Sequence, residues 1–136
     1  MIYEIKQDGK FKYIEEGNGE PLLLLHGLFG ALSNFAHLIE YFNKSYKVVV
    51  PMLPLLDLDL LHTSVGGLQK FVHKFIENRN YTSINLLGNS LGGHVALVHI
   101  LKHPERIKSL TLTGSSGLFE SGMGDTYPKR GDKEYI

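Results

Sequence analysis

Four short apolar runs constrain this chain more than any other feature. They are "PLLLL", "YKVVVP", "SINLLG" and "IKSLTLTG". A strand with one face in water alternates apolar and polar residues, whereas a continuous apolar run calls for cover on both faces. The runs therefore predict four buried strands. Val48, Val49 and Val50 favour a pleated backbone, and Pro51 ends their run. Helical periods lie between the runs. Phe35, Leu38, Ile39 and Phe42 share one helical face, with Ser33 or Asn34 placed to cap it. Val65, Leu68, Val72, Phe75 and Ile76 form a second stripe behind Thr63 or Ser64, with Lys70, Lys74, Glu77 and Arg79 mostly off it. "LGGHVALVHILKH" reads as a third helix, stopped by Pro104.

Strand, helix, strand, helix, strand, helix, strand is the order of parallel strands joined by right-handed crossovers. The fold class expected is α/β, a doubly wound and mostly parallel sheet. "MIYEI" and "KFKYIEE" surround Asp8 and Gly9, which predicts a hairpin at one edge. "MLPLLDLDLLH" reads as a loop. From Gly114 onward no period holds, so residues 1–113 form the core unit and residues 114–136 a separate segment.

Composition narrows the function. In 136 residues, 14 Lys and Arg balance 14 Asp and Glu, which argues against a nucleic-acid or anionic-membrane partner. There is no cysteine, so disulfides and thiolate metal sites are excluded, and a reducing compartment fits. The first residues are charged throughout, without the apolar stretch of a signal peptide. A cytoplasmic domain is the expectation.

Sites in open α/β sheets form at the carboxyl ends of strands. Two motifs fall there. Gly88-Asn89-Ser90-Leu91-Gly92 fits G-x-S-x-G, directly after a strand and directly before a helix. Its chemistry is steric at root. A sharp turn thrusts the serine hydroxyl outward, and close approach of the flanking residues demands glycines. Gly93 extends the series. The second motif is His26-Gly27-Leu28-Phe29-Gly30. An acyl-transfer site holds an oxyanion with backbone N–H groups, commonly one after the nucleophile and one from this earlier loop. Leu91 and Leu28 are the candidates, and Phe29 is less favoured. His26 reads as a residue that organises its loop.

These segments resemble the α/β-hydrolase superfamily. "LLLLHGLFG", "INLLGNSLGGHVAL" and "HPERIKSLTLTG" match its N-terminal half in order and spacing, over most of residues 1–118. The resemblance implies Ser90 as nucleophile, in the serine branch, with Leu28 and Leu91 as oxyanion donors. It also implies that residues 114–136 begin a lid. "GNSLGG" followed by "TGSSGL" is similar to hydrolases that cleave carbon–carbon bonds of ring-fission products. The glycine-rich loop that many members carry after the second parallel strand is replaced here by "MLPLLDLDLLHTS".

In the superfamily the order is serine, acid, histidine. After Ser90 the histidines are His94, His99 and His103, all on the helix that the serine introduces. That helix holds them away from the hydroxyl, and Asp125 and Asp132 have no later histidine to serve. The chain is thus expected to stop before its acid, its base and its last strands, as an inactive fragment. A short protein that has lost catalysis is the competing reading. Truncation would leave strand Ile107–Thr113 as an edge, with self-association through it expected. The function expected is a serine hydrolase of ester or related acyl bonds acting on a small molecule. The alternatives are a carbon–carbon bond hydrolase and a non-catalytic ligand-binding protein on a hydrolase frame. The chemistry implied uses only protein groups and water, with no metal or cofactor.

Overall fold

The computed structural model describes residues 3–27, 35–55 and 64–114. Six strands form one sheet in the order β1-β2-β4-β3-β5-β6. They are β1 (Lys6–Asp8), β2 (Phe11–Glu16), β3 (Pro21–Leu25), β4 (Lys47–Pro51), β5 (Ile84–Asn89) and β6 (Ile107–Thr113). Helices α1 (Ala36–Phe42), α2 (Val65–Asn78) and α3 (Leu91–Lys102) connect them. The first two strands run antiparallel to their neighbours, and β4, β3, β5 and β6 run parallel. No helix among the described residues is long and apolar enough to cross a membrane.

The apolar runs earn their place by burial on both faces. Successive side chains of a strand point to opposite sides. Leu23 and Leu25 of β3 join Val49, Leu68, Val72, Phe75, Ile76, Leu86, Val95 and Ala96 on the side of α2 and α3. Leu22 and Leu24 join Val48, Val50, Leu87, Phe35 and Ile39 on the side of α1. Each fully buried leucine or valine here contributes about 1.5–3 kcal/mol.

Three expectations change in detail. The hairpin turn is Gly9 and Lys10, since Asp8 pairs with Phe11 inside the ladder. Gly9 takes the positive φ of 59° that a two-residue turn needs at its first position. Strand β6 is not buried on both faces: Lys108, Ser109, Thr111 and Thr113 are exposed, and Ile107, Leu110 and Leu112 only half-buried. Its alternating "KSLTLT" is the pattern of a strand with one wet face. Helix α1 starts after Phe35, which has no side-chain cap bond, and Ser33 and Asn34 lie outside the described residues. Helix α2 is capped as expected, with Ser64 accepting from the Gly67 N–H at 2.9 Å.

The winding places the site. From β3 the chain passes through α1 to β4 on one side, and then crosses through α2 to β5 on the other side. The reversal falls at the carboxyl ends of β3 and β5, the crevice position where doubly wound sheets bind ligands. Leu25 pairs with Gly88 at the end of the β3–β5 ladder. The residues that follow, His26-Gly27 and Asn89-Ser90, therefore lie against each other at that position.

Candidate active site

Ser90 stands between β5 and α3 with φ 56° and ψ −121°. A side chain in this left-handed region costs of order 1–3 kcal/mol unless its surroundings hold it there. Ser90 is exposed, at the carboxyl end of β5. Its carbonyl accepts from Gly93 N–H at 3.0 Å and from His94 N–H at 3.3 Å, which starts α3.

The glycines around it answer to distances. A Cβ on Gly88 would lie 2.5 Å from the Gly92 oxygen and 2.6 Å from the Gly93 Cα. A Cβ on Gly92 would overlap the Leu25 carbonyl and lie 2.8 Å from the His26 oxygen. All of these neighbours are backbone, which cannot move aside as a flexible side chain can. Gly92 and Gly93 are buried where the first turn of α3 presses on the ends of β3 and β5. Gly27 faces the serine itself: a Cβ there would lie 3.0 Å from Ser90 Cβ and 3.3 Å from Ser90 Oγ.

His26 ties the β3 loop to the segment after β4. Its Nε2 accepts from the Leu53 N–H at 3.1 Å, and its Nδ1 lies 3.0 Å from the Gly27 carbonyl. Accepting at Nε2 puts the proton on Nδ1, which then donates to Gly27. Both ring nitrogens are occupied within the scaffold. Leu91, the first residue of α3, has an N–H with no acceptor inside its own helix. The helix also directs partial positive charge toward this end. Leu28, Phe29 and Gly30 lie outside the described residues.

Three other histidines are engaged away from the serine. His99 is 1% exposed and its Nδ1 lies 3.1 Å from Gln69 Nε2, a buried link between α3 and α2. Burial, with His103 and His73 nearby, pushes the His99 pKa down to about 4. His73 pairs with Glu77 at 3.2 Å and stacks on His103, with ring centroids 3.8 Å apart. His94 lies on α3, one turn past the serine, and His62, Asp125 and Asp132 fall outside the described residues.

Sequence reasoning overlooked two residues that grip this region. Leu53 supplies the N–H that fixes His26. Thr113 reaches both Asn89 and Ser90 from β6. Only the strand register brings these residues to the site, so nothing local in the sequence marks them.

A strand–serine–helix turn opposite a glycine loop, at the switch point of a doubly wound sheet, is the layout of an α/β hydrolase. The chain belongs to that family: it matches the α/β hydrolase fold over residues 20–136. Lipase 1 of Psychrobacter immobilis is 31% identical over 121 residues, which cover 84% of this chain and 38% of that protein. The 2-hydroxy-6-oxo-6-(2'-aminophenyl)hexa-2,4-dienoic acid hydrolase of Metapseudomonas resinovorans is 31% identical over 79% of this chain and 39% of its own length. An α/β hydrolase enzyme from the metagenome of lagoon sediments at Mar Chica, Morocco, superposes with a TM-score of 0.81 at 50% identity, over 86% of this chain and 54% of that one. The chain thus spans less than two fifths of the length of these two curated relatives.

Proposed function

We propose that this chain carries the nucleophile and oxyanion half of a serine hydrolase of ester or related acyl bonds. The observation behind this reading is Ser90, held at φ 56° and exposed at the start of α3. In the proposed reaction Ser90 Oγ attacks the substrate carbonyl and gives its proton to a histidine that is not among the described residues. The carbonyl oxygen gains the negative charge, and the Leu91 and Leu28 N–H groups receive it. Collapse expels the alcohol, which takes the proton, and leaves an acyl-serine that water hydrolyses. His26 holds the oxyanion loop and takes no proton in this scheme. Gly27, Gly88, Gly92 and Gly93 give the backbone its clearance.

The lipase name of the Psychrobacter relative supports an ester substrate. The Metapseudomonas relative, named as a hydrolase of a ring-fission type of acid, favours a second reading in which the bond cleaved joins two carbons.

A fluorophosphonate probe applied to the full-length gene product tests the serine reading. Labelling that disappears in Ser90→Ala is the expected result. Absence of labelling, or equal labelling of the variant, would favour a ligand-binding protein without turnover. A panel of esters beside a vinylogous diketone acid separates the two chemistries.

A further inference from the structure

The glycines around Ser90 permit its left-handed backbone but do not enforce it. Enforcement needs bonds that break when the turn relaxes. Among the described residues, the hydrogen bonds that reach the Asn89 side chain and the Ser90 amide from another element both come from one residue, Thr113 at the end of β6. The Ser90 N–H donates to the Thr113 carbonyl at 3.1 Å. The Thr113 Oγ1–H donates to Asn89 Oδ1 at 3.0 Å. Asn89 and Thr113 form the last pair of the β5–β6 ladder.

The end of a parallel ladder is where pairing frays, and Thr113 is exposed. Directly beyond it, Gly114 turns the backbone away with φ 57°. A single 3.1 Å bond at such a place would hold Ser90 weakly. The side-chain bond closes a ring through Asn89, Ser90 and Thr113, so the turn cannot draw away from the end of β6 without breaking two bonds at once.

We propose that Thr113 is a positioning residue: its hydroxyl, through Asn89, locks Ser90 in the conformation that presents its Oγ to the crevice. The lock itself is a property of the fold. Its consequence for reactivity rests on the reading of Ser90 as nucleophile.

Thr113→Val tests it, because valine keeps the branched shape and the carbonyl and removes only the donor. Thr113→Ser restores the donor. Hydrogen exchange at the Ser90 amide, followed by NMR, reads the lock without any need for activity. Exchange is expected to quicken about three- to tenfold in Thr113→Val, the equivalent of one net hydrogen bond, and to return toward the native rate in Thr113→Ser. Fluorophosphonate labelling of Ser90 in the full-length product is expected to slow by a similar factor and recover likewise. Native exchange in Thr113→Val would overturn the proposal. Quickened exchange in a protein whose native form takes no label would uphold the lock and sink the nucleophile. Should Thr113→Val fail to fold, Asn89→Ala removes the same bond from the acceptor side and is read by the same exchange.

Discussion

The backbone of Gly27 is packed against Ser90 so closely that one added methyl group would lie 3.0 Å from the serine Cβ and 3.3 Å from its Oγ. The third near atom is the Asn89 oxygen, at 3.4 Å. Relief is therefore available only by moving the serine side chain or the loop. Gly27 has no positive φ, so alanine is acceptable to its backbone. Gly27→Ala is expected to cost about 1 kcal/mol or less in stability. It is expected to slow serine labelling by about ten- to a hundredfold, because a displacement of under an ångström at a reacting atom is enough for that. Thermal melts beside labelling kinetics separate the two effects. A native labelling rate would show that the loop yields instead of the serine.

Gly92 behaves differently. A methyl group there meets the Leu25 carbonyl and the His26 oxygen, and one on Gly88 meets the Gly92 oxygen at 2.5 Å. No side chain can rotate to make room, so β3, β5 and α3 would have to separate. Gly92→Ala and Gly88→Ala are each expected to destabilise the fold by about 1–3 kcal/mol or more, measured as a lower denaturation midpoint. Gly66→Ala is the control, since its nearest neighbour is Ser64 Oγ at 3.8 Å. Equal midpoints for Gly92→Ala and Gly66→Ala would contradict the packing described.

The strands and helices were legible because burial leaves a periodic mark. Leu22 to Leu25 are apolar without interruption since two different cores use alternate residues. The serine turn was legible because glycine spacing records backbone clearance directly. What escaped depends on register or on single bonds. The hairpin turn fell one residue later than Asp8 and Gly9 suggest, because both dipeptides suit a tight turn and the pairing of Asp8 with Phe11 decides between them. Gln69 is polar yet 1% exposed, and its partner His99 lies thirty residues away on another helix. The grip of Thr113 on the serine turn is likewise a matter of which strand lies beside β5.

Strand β6 pairs with β5 on one side and is the outer strand of the described sheet. An outer strand offers unpaired N–H and C=O groups to another chain, and lysine on such a strand discourages pairing. The 136-residue protein is expected to self-associate through β6. Light scattering across a dilution series is expected to show a mass that falls toward the monomer. Thr111→Lys places a charge at an exposed position of the strand and is expected to shift that transition to higher protein concentration. A monomer of constant mass at every concentration would refute the pairing.

His99 gives the fold an acid limb. Its pKa is held down to about 4, against 6.5 for a free histidine, first by burial and then by the neighbouring His103 and His73. Glu105 opposes that shift and Arg106 adds to it, while Glu77 pairs with His73. Above pH 6.5 the ring is neutral in both folded and unfolded chains, and its contribution to stability is complete. As the pH falls from 6.5 toward 4 the unfolded chain takes up a proton that the folded chain refuses, so stability declines. Below about 4 both states are protonated and the decline from this group ends. The loss is at most about 3 kcal/mol. His99→Asn keeps an acceptor near the position of Nδ1 for Gln69 and removes the titration. Its unfolding midpoint in urea, measured from pH 7 to pH 4, is expected to vary less with pH than that of the native chain. Parallel curves over that window would place the acid sensitivity in other groups.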